Sequence, residues 1–563
     1  MEFLWLFVLL LFVLSIKSLY NKKQEKKQLI TRLADNFGCL AETEFSEEKY
    51  RSIQFYYKEM QKNQTEQTEP CFYLDDITWN DLNMDTLYCM LNNTGSAMGE
   101  EILFAMLHKL HLSESKLQEK ERVISFLQNN EKERLCLQTA LALIGKNKKI
   151  SVFEYMSRMD RVPVTSNLLH YIGTFGLVVS LILLLSSVST GGILLLGFMI
   201  FNIITYYKRK GEIEAYYSVI TYLIRMLDHA EKISKEDIPE LHPYFKVLKE
   251  HTDALKAFRK GAPVVVSQNP TGDIMSFVLD YIRILFHTDL IRFNRMLKQY
   301  FKHKESMLQV FETVGFLDSM CAVASFREYL GTYCLPEFTK EVKYEAEELY
   351  HLFLKNPVPA TINTTNSVLV TGSNASGKST FLKAAAINAI LAQTIHTVCA
   401  KRYCAAFFKV YSSMALSDNL FENESYYIVE IKSLKRILDA SGQDIPVLCF
   451  VDEVLRGTNT VERIAASSRI LYTIAARNAL MFAATHDIEL TYILEDRFVN
   501  YHFEEQIAEN EILFDYELKM GRATTQNAIA LLGLLGYPEE IILKSKETAT
   551  HFLEKGEWKS ATK

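Results

Sequence analysis

Residues 372–380 read Gly372-Ser-Asn-Ala-Ser-Gly-Lys-Ser-Thr380, directly after the β-branched run Ser367–Thr371 and just before a helical pattern over Phe381–Thr394. A strand, a glycine-bracketed loop ending Lys-Ser-Thr and a helix together make a phosphate-binding loop. The loop wraps phosphates with backbone N–H groups, so Gly372 and Gly377 keep side chains out of the way. The helix N-terminus adds partial positive charge at the same place. On this pattern Gly372, Ser373, Asn374, Ala375, Ser376, Gly377, Lys378, Ser379 and Thr380 form the nucleotide cradle. Lys378 reaches the β- and γ-phosphates, and the Ser379 hydroxyl ligates Mg²⁺.

The matching half lies downstream. Pro446–Glu453 is an apolar run that delivers Asp452 to the metal and places Glu453 to orient and deprotonate an attacking water. It follows Lys378 by 74 residues, and a third apolar run ends Thr485-His486-Asp487 another 34 residues on. His486 is then placed to contact the γ-phosphate or the water. Metal ligation is expected from Ser379 and Asp452, and catalysis from Lys378, Glu453 and His486. Short β-branched runs at Ser367–Thr371, Val447–Val451, Leu480–Thr485 and Ile512–Leu518 alternate with helical stretches, the signature of an α/β domain on a mostly parallel sheet.

The order P-loop, Asp-Glu, strand-His is that of ABC-type ATPases. A transporter would need a Leu-Ser-Gly-Gly-Gln run before the Asp-Glu strand, where only Gly442-Gln443 stands; 74 residues leave no room for the long coiled coil of chromosome-organising relatives. Val368–Thr380 resembles the loop of the MutS family of mismatch repair ATPases. Asp452-Glu-Val-Leu-Arg-Gly-Thr-Asn-Thr460 resembles that family's Asp-Glu-x-x-Arg-Gly-Thr-x-Thr, and Ala484–Leu490 its His strand. Asp418-Asn419 with Ser425–Glu430 is similar to the segment that completes a neighbouring subunit's ATP site, so the resemblance implies that Ser425 acts across a dimer. Upstream, Leu87–Gly99 resembles the start of the MutS helical core, Leu317-Asp318 its end, and Tyr350-His351 the entry to the ATPase domain.

The resemblance thus covers roughly 75–145 and 315–550. It implies ATP and Mg²⁺ as cofactors and a homodimer with composite ATP sites that couples nucleotide state to a clamp on double-stranded DNA. Two departures stand out. Phe45-Ser46-Glu47 matches the mismatch-reading Phe-x-Glu triplet but sits beside an apolar N-terminus rather than inside an α/β domain, so it is set aside. The loop carries Ser-Asn-Ala-Ser where the family usually has Pro-Asn-Met-Gly, a change compatible with phosphate binding.

The chain has 563 residues, 48% hydrophobic and 23% charged, which suggests three or four units and excludes a disordered or fibrous protein. Its 62 Lys and Arg against 68 Asp and Glu give a net charge of −6, so any nucleic-acid contact must come from local patches. Mean hydropathy near zero implies concentrated apolar segments. One is Phe3–Ile16, followed by Lys17, Lys22, Lys23, Lys26 and Lys27; charge after the apolar run reads as an uncleaved anchor with the lysines cytoplasmic. The other is Val162–Tyr207, without a single Asp, Glu, Lys or Arg and broken at Ser186–Gly192, which reads as a transmembrane hairpin with both ends cytoplasmic. Nine scattered cysteines, with no CxxC, predict reduced and mostly buried thiols and no zinc site.

The expected fold is an α/β ABC-type P-loop ATPase domain preceded by an all-α MutS-like core, with three predicted transmembrane helices. In chain order come an anchor (1–20), a polar linker (21–70), a first helical core segment (71–165), the hairpin (166–207), a helical lever or second core segment (208–355) and the ATPase domain (356–563). Lys146–Lys149 and Lys298–Lys304 are candidate phosphate contacts, though a solvated helix face is the favoured reading of both; the lysines after the anchor suit anionic membrane lipid. The expectation is a multi-pass cell-membrane protein with a cytoplasmic ATPase domain that gates DNA binding without reading mismatches. The alternative is a membrane motor or signalling ATPase of the same type that does not bind DNA.

Overall fold

The computed structural model describes residues 2–41, 46–63, 70–146, 151–162, 164–260, 274–373, 376–414, 426–508, 511–523, 529, 532, 536–558 and 560. The chain forms two compact units rather than three or four: a helical unit (1–66, 88–105 and 122–329) and an α/β unit (67–87, 106–121 and 330–563).

The helical unit begins with α1 (Glu2–Asp35), one uninterrupted helix. The side chains of residues 3–4, 6–15 and 18–19, on which the predicted anchor rests, lie outside the described residues. The stretch read as a polar linker instead carries the second half of α1 and all of α2 (Glu47–Lys62). There Ser46 caps the N-terminus by accepting from Lys49 N, and Ile53, Tyr56 and Tyr57 turn inward. Further along come α3 (Ala97–His108) and α4 (Glu131–Ile144). The hairpin follows as α5 (Leu168–Ser186) and α6 (Val188–Ile233), then α7 (Ile274–Phe286), α8 (Thr288–Lys302) and α9 (Lys304–Leu330).

Helix α9 is the spine of this unit. It buries Val310, Phe311, Val314, Leu317 and Cys321, and its small residues admit close neighbours. A Cβ on Gly315 would stand 2.4 Å from Ile102 Cγ1 and 2.9 Å from Met98 O, so α3 lies directly against it. One turn on, the Asp318 carboxylate accepts from Gly95 N (2.9 Å) and Ser96 N (2.8 Å), satisfying donors at the start of α3. Burial raises the Asp318 carboxyl to about 6 despite these bonds.

Two of the three predicted spans meet the length and composition needed to cross a membrane, as α5 and as Val188–Glu214 within α6. Helix α9 also meets them, a segment the charge-free criterion passed over. Along α5 and α6 large apolar side chains point outward, with Leu168, Phe175, Ile182, Leu196 and Ile204 each more than half exposed. The inner faces are held by polar bonds. Asn202 Nδ2 donates to Gly173 O (3.2 Å) and Leu285 O (2.8 Å), and Tyr206 donates to Asp289 Oδ2 (2.9 Å).

Among its described residues the α/β unit carries two sheets of four or more strands. The larger has the order Lys519–Met520 (β14), Phe498–His502 (β11), Ser367–Thr371 (β6), Ala479–Ala484 (β10), Val447–Asp452 (β9) and Lys409–Ser413 (β8), parallel throughout except β14. All five residues of β6 are buried, as a parallel strand covered on both faces requires. The smaller has the order Glu337–Thr339 (β3), Arg402–Ala406 (β7), Tyr344–Leu349 (β4) and Ala360–Thr364 (β5). Residues 71–73 and 109–111, inside the stretch read as all-helical, pair antiparallel as β1 and β2 within this unit. The expected strand Ile512–Leu518 is Glu511–Phe514 (β13), paired with Glu505–Ala508 (β12) rather than with the main sheet. The nine cysteines are free thiols, four buried, three half-buried and Cys39 and Cys136 exposed, so fewer are fully buried than expected.

Candidate nucleotide site

The parallel register builds the site. Ala484 of β10 stands beside Asp452 of β9 on one side and Val370 of β6 on the other. The residues that follow in each strand, Glu453, Thr485-His486 and the loop from Gly372, therefore emerge together at the carboxyl edge, where α/β sheets bind ligands.

At that edge Gly372 has φ +146°, and a Cβ there would meet Phe503 O at 2.8 Å and Ser376 Oγ at 2.9 Å. Gly377, φ +109°, is the N-cap of α10 (Lys378–Ile395). Both glycines are demanded by the backbone. Lys378 Nζ donates to Gly372 O (2.9 Å) and Ser373 O (2.6 Å), folded onto the loop's own carbonyls. Burial lowers its pKa, opposed by Asp452, Glu453 and Glu505. Ser373 also donates to Glu505, a buried carboxylate. Thr380 follows in the first turn of α10. Asn374 and Ala375 lie outside the described residues, as do Ser425, Asp418 and Asn419.

Asp452 ends β9, and the Ser379 hydroxyl donates to it. Burial raises the Asp452 carboxyl, with Glu453 adding to the rise and Ser379 opposing it. Its Oδ1 is buried and has no partner among the described residues, and the same holds for Ser376 Oγ. A buried carboxylate oxygen left unpaired beside a hydroxyl is a donor set that suits a hard cation such as Mg²⁺.

Glu453 sits at φ 52°, a conformation that costs a non-glycine residue about 1–3 kcal/mol and clusters at functional sites. Its Oε1 lies 2.9 Å from His486 Nε2, so the structure brings the two side chains together. Its Oε2 is 2.6 Å from Arg456 Nη1. Behind them Arg463 grips Asp487 through two bonds (2.9 and 2.6 Å), fixing the turn that carries His486. Glu430, on α11 (Tyr426–Ala440), accepts from Leu455 N and steadies the turn after Glu453.

A cavity of about 620 Å³ opens from Gly377, Lys378, Ser379, Thr380 and Glu453 toward an apolar wall of Leu349, Leu354, Pro357, Val358, Phe503 and Tyr516. His351 joins that wall; burial lowers its pKa to about 4, so it is a neutral ring at physiological pH. Arg463, Glu505 and the apolar wall escaped the sequence reading, as did the bond from Leu455 N to Glu430, a residue quoted there only as the end of the Ser425–Glu430 segment. Each contributes through spatial packing and belongs to no local motif; only Tyr350-His351 carried a signal.

Residues 368–553 match the family model described as MutS domain V. A DNA mismatch repair protein MutS from Leptospira interrogans is 28% identical over 294 residues, 49% of this chain and 34% of that protein. Human MutS protein homolog 4 is 28% identical over 287 residues, covering 48% and 30%, and the Thermus aquaticus mismatch repair protein MutS is 30% identical over 180 residues, covering 32% and 22%. The chain thus spans about a third or less of the length of these curated relatives.

Proposed function

We propose, from the match of residues 368–553 to MutS domain V, that this chain is a MutS-type, ABC-type ATPase that hydrolyses ATP as a membrane-anchored homodimer and uses nucleotide state to gate binding of double-stranded DNA. The observation that carries the ATPase reading is the convergence of Lys378, Ser379, Asp452, Glu453 and His486 on one cavity edge.

In this reading the apolar wall takes the nucleobase and the loop takes the phosphates. Lys378 leaves the carbonyls of Gly372 and Ser373 for the β- and γ-phosphate oxygens, regaining charged partners for the neutral ones it gives up. Ser379 and Asp452 would hold Mg²⁺, which supplies charge neutralisation at the phosphates when bound. Glu453 orients the attacking water and accepts its proton once Arg456 releases one oxygen, and His486 holds the other. Ser425 from a second copy completes the site.

The membrane reading rests on the outward apolar side chains of α5 and α6 and on the lysines that follow the first apolar run. The hairpin lies near where the family's lever arms diverge and tethers them to lipid, with the ATPase unit cytoplasmic. Protease treatment of sealed inside-out vesicles checks it: residues 211–315 should be cut, and their protection would reject this topology.

The test of function is ATPase rate in nanodiscs with homoduplex, mismatched or no DNA. Glu453→Gln should slow hydrolysis by about 10²–10⁴-fold, with Lys378→Ala as the blank. Stimulation by DNA supports the gate. A Lys378-dependent rate indifferent to DNA rejects the DNA arm and leaves a membrane motor.

A further inference from the structure

The helical unit encloses a second cavity, of about 440 Å³, where α1 ends. It is lined by the last turn of α1, the loop Asn92–Gly95, α4 and α9, four segments distant in sequence. Most of its wall is already bonded internally. Asp318 is bonded to Gly95 and Ser96, while Asn93 Nδ2 donates to Cys39 O (2.6 Å) and Ser325 Oγ (3.3 Å), which also accepts from Gly38 N (3.1 Å). Lys146 pairs with Glu100 at 3.2 Å. A wall stitched this way is pre-formed rather than a gap between loose elements.

The groups left over point to a ligand. Gln138 is only 9% exposed, yet its Oε1 is buried with no partner among the described residues. An orphaned buried amide oxygen is unfavourable, and a ligand N–H or O–H would satisfy it. At the rim Arg32 makes no ion pair or side-chain hydrogen bond among the described residues, and its forked donors match a phosphate. Phe37 adds an aromatic wall, held by the Arg134 guanidinium 3.5 Å from its ring centroid. A cation at the mouth, an acceptor inside, one aromatic surface and this volume together select a phosphate on a small body bearing hydrogen-bond donors.

We propose that this cavity binds a nucleoside monophosphate, its phosphate on Arg32 and a base or ribose donor on Gln138 Oε1. Bound there, the ligand bridges α1 to α4 and α9, so occupancy fixes the N-terminal helix to the helical core. The site is independent of the P-loop and of whether the chain hydrolyses ATP.

The test uses full-length Lys378→Ala protein in nanodiscs, which weakens nucleotide binding at the P-loop. Equilibrium dialysis with AMP, GMP, CMP and UMP is run beside inorganic phosphate and adenosine. At least one monophosphate should bind saturably at one site per chain, and Arg32→Glu and Gln138→Leu should each weaken it about tenfold or more, roughly 1.4 kcal/mol. Arg32 is exposed, so its variant should melt like the parent and keeps the test valid if Gln138→Leu loosens the core. Absence of saturable binding by all four nucleotides overturns the proposal, as does binding indifferent to Arg32→Glu. Inorganic phosphate binding as tightly as any nucleotide would also overturn it, leaving an anion site only.

Discussion

Hairpin α5–α6 and helix α9 are each long and apolar enough to cross a membrane, yet they use their apolar surface in opposite ways. In its most apolar 18-residue window α9 is 78% buried, against 28% for α5 and 11% for the apolar part of α6. Hydropathy thus measures how much surface needs cover, and the tertiary structure decides whether protein supplies it. Around α9 protein does, through small residues that let α3 approach. Along the hairpin protein covers only the inner faces, and large apolar side chains such as Leu168, Phe175, Ile182, Leu196 and Ile204 are left exposed.

The largest expected effect is a charge placed in each helix. Val314→Asp buries an unpaired carboxylate in the core and should cost on the order of 4 kcal/mol or more. Ile182→Asp, on the exposed face, should leave the detergent-solubilised fold intact by circular dichroism while weakening retention in carbonate-washed membranes. Equal loss of fold in both would erase the distinction between the two helices.

A methyl group sharpens it further. Gly315→Ala meets Ile102 and Met98 O and should destabilise by about 1–3 kcal/mol. Gly197→Ala in α6 meets nothing within 4 Å and should stabilise the helix by about 0.5–1 kcal/mol. Thermal melts of opposite sign are expected, and melts of the same sign would refute the packing contrast.

The smallest effect is in pH. Glu101 of α3 is buried, accepting from Ser151 Oγ and Val152 N, and burial raises its carboxyl to about 8. The folded state therefore holds this proton where the unfolded chain, with a pKa near 4.3, has lost it. This group's contribution to stability should fall as pH rises from about 4.3 to about 8. Glu101→Gln should flatten that stretch of the profile, and an unchanged slope would show that another group sets it.

Much of the site was legible because P-loop chemistry is local. Glycines at fixed offsets, a lysine and a serine must lie within nine residues, and an aspartate must end an apolar strand. Strand order placed Glu453 and His486 at one site, whereas their direct contact came from the structure. Arg456, three residues after Glu453, stands within the quoted Asp-Glu-x-x-Arg run, but its ion pair with Glu453 was not read from it. The Arg463–Asp487 clamp and the carboxylate of Glu505 on Ser373 were not legible, since each joins distant segments by side-chain reach rather than spacing.

By itself, then, the sequence determined the phosphate loop, the parallel strands and the two apolar segments, because glycine geometry, strand burial and the cost of exposing hydrocarbon act within short windows. Only tertiary structure decided that 71–73 and 109–111 pair within the α/β unit, that α9 is a core spine, and that Gln138 and Arg32 share a cavity. Those outcomes depend on which distant surfaces meet, and long-range packing leaves no periodicity in the chain.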